Sequence, residues 1–204
     1  MSDNMEYLLR SYGLVDIESV DPSIMVDLKY ATEDNFMHRN LYGSLRKAFF
    51  VPEIAERLAH AQMLLRRENP SLSLLIYDAA RPMSIQRMMF ETVSGTGQEI
   101  YVASPNVGGG YHNYGLAADL TIADADGTPL DMGCGFDCFN HISHTDNEDA
   151  LVEEGLISRE AMNNRRLLRR CMQEAGFVQN TSEWWHFQRY SFEEMKSRFR
   201  LLDF

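Results

Sequence analysis

Two short segments of the sequence combine histidines with carboxylates, the side chains that bind catalytic metal ions. The first segment holds His112 and Asp119, and the second holds Glu183 and His186. A catalytic zinc site uses three protein ligands and leaves a fourth position for water. His112, Asp119 and His186 would supply those ligands, and Glu183 would take a proton from the water. The spacing indicates a metal-dependent hydrolytic site, but taken singly each histidine also fits an ordinary core or surface position.

The cysteines suggest a second, less complete metal-binding pattern. Cys134 and Cys138 are four residues apart, and Cys171 is the third cysteine of the chain. Three cysteines are too few for a disulfide-built scaffold. No second pair of cysteines completes the four ligands of a structural zinc site. We therefore expect free thiols, which favour a reducing compartment.

The composition is that of a globular protein. The 204 residues are 45% hydrophobic and 24% charged, which predicts a single domain over residues 1–204. The formal net charge of -11 argues against nucleic acid and against an anionic membrane surface as partners. No apolar run reaches the roughly 20 residues that span a bilayer. The polar, acidic start of the chain does not resemble a signal peptide, so we expect the cytoplasm, with a periplasmic or lipoprotein form after signal removal as the alternative. The oligomeric state does not follow from the sequence.

The hydrophobic pattern predicts the elements that position these residues. Helical spacing of apolar residues marks three helices, over residues 52–68, 82–92 and 162–175. Alternating or continuous apolar runs mark strands over residues 25–30, 72–77, 116–122, 177–178 and 184–187. Residues 31–44 and 94–110 are expected to be loops. Because helices and strands do not alternate regularly, the pattern favours an α+β fold.

Both histidine-containing segments resemble signatures of the M15 zinc peptidases, the hedgehog/VanX-type family. The stretch from His112 to Asp119 is similar to the family pattern of His, two residues and Gly-x-Ala-x-Asp. Glu183-Trp-Trp-His186 is similar to the Glu-x-x-His of the D-alanyl-D-alanine dipeptidase branch. The resemblance covers about residues 25–190, because further segments agree in the same order, namely residues 27–36, 77–82, 131–144 and 164–177. It implies a small, mainly antiparallel sheet flanked by helices, with a zinc site of the hedgehog/DD-peptidase type.

The resemblance also implies roles for individual residues. His112, Asp119 and His186 are similar to the ligands of one zinc ion per chain. Glu183 is similar to the general base that later hands its proton to the leaving amine. Arg81, in the segment Asp-Ala-Ala-Arg-Pro, is similar to the residue that stabilises the oxyanion, which suits the rigid donor fork of a guanidinium.

Three positions leave alternatives open. Arg81 could instead serve only as a salt-bridge partner of Asp78. Asp137 is expected to bind the free ammonium group of a dipeptide, but Asp131 could replace it, or either residue could simply cap a turn. Gly110 stands where the family usually has a serine near the substrate amine. Since one hydrogen bond contributes about 1 kcal/mol, we expect Gly110→Ser to tighten substrate binding.

The function implied by the resemblance is that of a zinc-dependent dipeptidase in peptidoglycan metabolism. Its substrate would be D-Ala-D-Ala or a related D,D-dipeptide, attacked by a zinc-bound water. Residues 30–36 would form one wall of a small pocket. The first alternative is a D,D- or L,D-carboxypeptidase or endopeptidase that acts on peptidoglycan stem peptides. The second is a non-catalytic zinc-binding module, which the presence of Glu183 and Arg81 disfavours.

Overall fold

The computed structural model describes residues 2–204; Met1, the first residue of the predicted domain, lies outside the described residues. Among them, the strands are β1 (Val15–Asp16), β2 (Met25–Val26), β3 (Phe49–Phe50), β4 (Ser73–Asp78), β5 (Ala117–Ala123), β6 (Val178–Gln179) and β7 (His186–Gln188). The α-helices are α1 (Ser2–Ser11), α2 (Pro52–Glu68), α3 (Met83–Val93), α4 (Glu148–Glu153), α5 (Arg159–Glu174) and α6 (Phe192–Arg198). Within residues 2–204 every helix is too short or too polar to cross a membrane.

A five-stranded sheet forms the centre of the fold, in the order β2-β4-β5-β7-β6. Strands β2 and β4 are parallel, whereas the other three neighbouring pairs are antiparallel. Strands β1 and β3 form a separate antiparallel pair. The α+β class and the mainly antiparallel sheet are therefore confirmed. The extent of the domain stays a prediction, which one continuous cluster of buried apolar residues from Leu9 to Leu202 supports.

Helices α2 and α5 pack against each other and against the sheet. Helix α2 begins at Pro52, whose fixed φ suits the first turn, and it buries Leu58 and Leu65. Helix α5 begins after Ser158, whose side chain accepts a hydrogen bond from the amide of Ala161. Strands β4 and β5 are buried along their whole length because helices and loops cover both faces.

The predicted elements agree with the structure except at one predicted strand, and the short strands β1 and β3 and three short helices were not predicted. The strand expected over residues 25–30 is wrong beyond Val26, because a 3-10 helix forms at Lys29–Ala31. Its turn is closed by the Ala31 amide, which donates to the Leu28 carbonyl at 2.9 Å. The short helices α1, α4 and α6 were not predicted. The other predicted helices and strands appear with boundaries shifted by up to three residues.

A bulge in β4 changes which side chains face the site. Ile76 pairs with Leu120 of β5, but the next pair is Asp78 with Asp119, so Tyr77 is left without an opposite residue. Directly opposite residues of antiparallel strands lie on the same face. The bulge therefore turns Asp78 to the face that carries Asp119, as bulges next to active sites often do.

Candidate metal centre and active site

Three buried side chains form a compact cluster on this face of the sheet. His186 Nδ1 lies 2.9 Å from Asp119 Oδ1, and His112 Nε2 lies 3.2 Å from the same oxygen. The two imidazole nitrogens are 3.1 Å apart. Each residue offers one ligand atom, and all three atoms lie within 4.8 Å of one another. Two imidazole nitrogens and one carboxylate oxygen are the donor set of an open zinc site, so these residues fit such an ion.

Strand pairing and a tight turn bring the three residues together. Asp119 of β5 lies directly opposite His186 of β7, although 67 residues separate them along the chain. His112 lies in a 3-10 helix, Tyr111–Tyr114, immediately before β5. The turn into the strand passes through Gly115, whose φ of +69° is unfavourable for residues with a side chain. A glycine between His112 and Asp119 is therefore required by the backbone.

The electrostatics of the cluster favour a charged carboxylate beside imidazole rings. Burial works against ionisation of Asp119, but the His112 and His186 rings hold the pKa of its carboxyl group well below the usual range. Burial likewise works to lower the pKa of His112, and the Asp119 carboxylate raises it above its ordinary value. The cluster thus keeps a negatively charged ligand atom among buried side chains.

Glu183 lies in the turn that leads into β7 and is only 7% exposed. Asn180 Nδ2 donates to its Oε2 atom at 2.7 Å. Burial raises the pKa of Glu183 to about 7, with a further contribution from the Asp119 carboxylate. A carboxyl group with a pKa near 7 can both accept and return a proton at neutral pH. The Glu183 carboxyl group can therefore exchange a proton at neutral pH.

Arg81 is held by a salt bridge and retains free donors. Its Nε and Nη2 atoms donate to Asp78 Oδ2 at 3.0 and 2.5 Å, and its Nη1 atom donates to Gln86 Oε1 at 3.0 Å. The Tyr42 hydroxyl donates to the other oxygen of Asp78 at 2.6 Å. A guanidinium has five N–H groups, so two of them have no hydrogen-bond partner among residues 2–204. The salt bridge to Asp78 thus leaves Arg81 able to bind an additional oxygen.

Asp137 has an unusual backbone and a fixed carboxyl group. Its φ is +59°, a left-handed conformation that non-glycine residues seldom adopt. Its carboxylate accepts hydrogen bonds from the Tyr30 hydroxyl at 2.9 Å and from the Phe36 amide at 3.1 Å. Burial raises its pKa to about 7.

Asp131, the alternative, is exposed and accepts a hydrogen bond from the amide of Gly133 at 2.8 Å, as a turn-capping residue does.

One cavity of about 320 Å³ brings the predicted site residues together. This volume is at the lower end of the range of roughly 300–1,000 Å³ for small-molecule sites. Tyr30 from the predicted wall also lines the cavity, whereas Phe36 lines a neighbouring groove. The predicted loop before Gly110 contributes a further wall. The six predicted site residues that line this cavity are Arg81, His112, Asp119, Asp137, Glu183 and His186.

Three polar residues of the site carry no motif signal and were not predicted. Gln86 accepts from Arg81, Asn180 donates to Glu183, and Gln188 lies 2.9 Å from the His186 ring. Only Gln188 could have been found from the sequence. It follows the predicted ligand His186 by two residues in a strand, and such residues lie on the same face of the sheet. Gln86 in helix α3 and Asn180 in the turn before β7 reach their partners only through tertiary structure, so the sequence gives no signal for them.

The surroundings of Gly110 argue against the expected benefit of a serine there. A Cβ atom at Gly110 would lie 2.8 Å from the Cβ atom of Ala103. Such a distance is shorter than real contacts between these atoms, so the Ala103 segment would have to move. The loop before Gly110 therefore occupies the space that a side chain at this position needs.

Comparisons with known proteins identify the family to which the chain is similar. The Peptidase M15 family model, described as D-ala-D-ala dipeptidase, matches residues 10–199. The D-alanyl-D-alanine dipeptidase of Escherichia coli K12 is 34% identical over 191 residues, which cover 92% of this chain and 86% of the relative. The D-alanyl-D-alanine dipeptidase of Enterococcus faecium is 29% identical over 191 residues, covering 86% and 90%. That of Enterococcus faecalis is 28% identical over 194 residues, covering 86% and 91%.

Proposed function

The chain belongs to the M15 peptidases of the D-Ala-D-Ala dipeptidase type, and from this membership we propose that it is a zinc-dependent dipeptidase that hydrolyses D-Ala-D-Ala or a closely related D,D-dipeptide. The observation that carries the proposal is that a metal-binding cluster, a buried carboxyl group and a guanidinium with free donors line one small cavity. This combination supplies every group that peptide hydrolysis requires. A role in peptidoglycan metabolism follows, because D-Ala-D-Ala is a cell-wall dipeptide.

We assign one zinc ion per chain to His112, Asp119 and His186. Their nitrogen and oxygen donors suit zinc, and three ligands leave a position open for substrate or water. When bound, zinc would polarise the scissile carbonyl group and lower the pKa of a water molecule to about 7. The buried position of the ligands would keep competing solvent away from the ion.

Glu183 is the proposed general base. Its pKa of about 7 allows it to take a proton from the attacking water and to pass that proton to the departing amine. The hydrogen bond from Asn180 fixes one carboxyl oxygen and leaves the other for this transfer. The same residue thus serves both halves of the reaction.

Arg81 is the proposed oxyanion donor. The Asp78 carboxylate and the Gln86 amide hold its guanidinium in place from two sides, so its remaining N–H groups are preorganised. Fixed donors directed at developing negative charge lower the barrier without reorganisation during the reaction. Its Nη2 atom is 3.8 Å from Asp119 Oδ2, which places the guanidinium beside the metal cluster.

Asp137 is the proposed partner of the substrate ammonium group. In its ionised form it would offer a carboxylate to this cation within the same cavity as the metal cluster. A buried ammonium requires such a partner, whereas an amide nitrogen does not. This arrangement favours free dipeptides over longer peptides, in which the corresponding nitrogen is uncharged.

The cytoplasm is the proposed compartment. Its support is that Cys134, Cys138 and Cys171 are unbridged thiols in the structure, as in reducing surroundings. Fractionation of the native host with an antibody against the protein tests this assignment. Recovery from the periplasm or the membrane would contradict it.

The decisive experiment is a substrate panel with metal-loaded protein. We expect cleavage of D-Ala-D-Ala and loss of cleavage when its amine is acetylated, because acetylation removes the charge that Asp137 would bind. Metal analysis should find about one zinc per chain, and His112→Ala and His186→Ala should both lose it. Equal cleavage of the free and acetylated dipeptides, or preference for muropeptides, would favour the wall-acting carboxypeptidase or endopeptidase instead.

A further inference from the structure

The two histidines of the cluster present different ring nitrogens to it. His112 directs Nε2 toward Asp119, and its Nδ1 atom lies 2.8 Å from the carbonyl oxygen of Ala79. His186 directs Nδ1 toward Asp119, and its Nε2 atom lies 2.9 Å from Gln188 Oε1. Each ring thus has one nitrogen in the cluster and the other beside an oxygen outside it.

The oxygen outside the cluster is placed to accept the ring proton when the other nitrogen binds a metal ion. A neutral imidazole carries one N–H group, and only the other nitrogen has a lone pair for a metal ion. A carbonyl oxygen can only accept, so it stabilises a proton on the nitrogen that it faces. For His112 this acceptor is a main-chain atom of Ala79, which no substitution removes. For His186 it is the side chain of Gln188.

The backbone fixes Gln188 in the position that this contact requires. Gln188 follows His186 by two residues in β7, so both side chains lie on one face of the sheet. Its backbone pairs with Ala117 of β5 on one side and with Val178 of β6 on the other. Its side chain is half-buried and lines the same cavity as the metal cluster. The amide is therefore held at the His186 ring by two neighbouring strands.

We propose that Gln188 is a positioning residue that accepts the Nε2 proton of His186 and so stabilises the ring in the form whose Nδ1 atom binds the metal ion. The inference rests on the proposed function for the identity of the ligand set. The opposite arrangement, with the Gln188 amide nitrogen donating to Nε2, would place the proton on Nδ1. That nitrogen would then donate to Asp119 and would have no lone pair for zinc.

Zinc affinity tests the proposal without reference to turnover. Metal-free wild type, Gln188→Leu and Gln188→Glu are titrated with zinc against a chromophoric chelator. Loss of such an outer contact typically costs 10–100-fold in metal affinity, and we expect this loss for Gln188→Leu. Gln188→Glu retains an acceptor and should bind zinc within a few-fold of wild type. Wild-type affinity in Gln188→Leu would overturn the proposal.

A matched control separates this effect from general destabilisation. Gln62 is a buried amide that accepts from the Leu74 amide at 2.7 Å, on the helix side of the sheet. Gln62→Leu therefore removes an amide of similar size and should leave zinc affinity unchanged. An equal loss of affinity in Gln62→Leu and Gln188→Leu would overturn the proposal, because the loss would then reflect packing alone.

Nitrogen NMR of histidine-labelled, zinc-loaded protein provides a second readout, because zinc at Nδ1 leaves the ring proton of His186 on Nε2. In wild type this Nε2–H proton should exchange slowly with water, since Gln188 accepts it, and in Gln188→Leu it should exchange much faster. An unchanged exchange rate in Gln188→Leu would overturn the proposal. If wild type binds no zinc, the proposed function fails, whereas equal zinc affinity in wild type and Gln188→Leu overturns only the role of Gln188.

Discussion

The Tyr30 hydroxyl donates to both carboxylate oxygens of Asp137, at 2.9 and 3.2 Å, across 107 residues of sequence. The same ring lies under the Arg81 guanidinium, 5.1 Å from its central carbon. Tyr30 therefore contacts the groups assigned to the two ends of the reaction, one at the substrate amine and one at the oxyanion. The contributions of its hydroxyl group and of its ring can be measured separately, because phenylalanine keeps the ring and lacks the hydroxyl.

Tyr30→Phe should raise KM and leave kcat within a few-fold of wild type. The phenyl ring stays under Arg81, but one hydrogen bond to the ammonium-binding carboxylate is lost, and a loss of about 1 kcal/mol is about fivefold in KM. Tyr42→Phe is the matched control, because Tyr42 bonds Asp78 behind Arg81 and should affect kcat instead. Steady-state kinetics of both variants test this division, and a fall in kcat alone for Tyr30→Phe would contradict it.

Asp137→Asn should remove part of the pH dependence of kcat/KM. The carboxylate form binds the substrate ammonium, and burial raises the pKa of Asp137 to about 7. As the pH falls through 7, wild-type Asp137 becomes protonated and kcat/KM falls. The asparagine variant lacks this titration, so the ratio of wild type to variant should shrink between pH 8 and pH 5. A constant ratio across that range would remove Asp137 from substrate binding.

Glu183→Gln should keep zinc and lose most turnover. The glutamine oxygen still accepts from Asn180, so the turn is preserved, but the amide cannot take a proton from water. General-base catalysis typically contributes 10²–10⁴-fold, and we expect kcat to fall by about this factor. Metal content and kcat are measured on the same preparation. Turnover close to wild type with full zinc occupancy would assign the base to another residue.

Arg81→Lys should lower kcat although the charge is retained. One ammonium group cannot reproduce the planar fork that binds Asp78 and still offers donors to the cavity. Removal of one oxyanion donor typically costs 10²–10³-fold in kcat. The measurement is kcat with D-Ala-D-Ala at saturation. An unchanged kcat would leave Arg81 with the salt bridge to Asp78 as its only role.

Gly110→Ser should weaken activity or stability, and Ala103→Gly should restore it. The serine Cβ atom would lie 2.8 Å from the Ala103 Cβ atom, and the second substitution removes that atom. The double variant then provides a hydroxyl near the substrate amine without the close contact. Four proteins, wild type, both single variants and the double variant, are compared by KM and by unfolding midpoint. Additive effects of the two substitutions would show that the contact does not limit this position.

Much of the active site was predictable because its chemistry is local in sequence. Glu183 and His186 share one turn and strand, and His112 and Asp119 flank the glycine that the backbone needs. Their convergence in one cavity follows from the pairing of β5 with β7, which the predicted strands did not specify. The hydrophobic pattern identified the five strands of the central sheet but contained no information about their register.

The features that escaped prediction depend on tertiary contacts. The 3-10 helix at Lys29–Ala31 replaces part of a predicted strand, and its turn brings the Tyr30 hydroxyl to Asp137. The apolar run of β4 gives no indication of the bulge, although the bulge turns Asp78 toward Arg81. An alternating pattern in the first case and a continuous apolar run in the second both indicate an extended strand, and the irregularities appear only where other elements pack against it.

The long chain separation of the ligands has a consequence for the lifetime of the folded enzyme. His112 and His186 are 74 residues apart, so the ligand set exists only after β5 and β7 have paired. An ion that binds only the native state adds about 2.7 kcal/mol of stability at 100 times its Kd. Contacts that form only after the folding transition state slow unfolding and leave the folding rate almost unchanged. We therefore expect zinc to slow unfolding while leaving refolding almost unchanged, so that metal starvation would expose the enzyme to proteolysis.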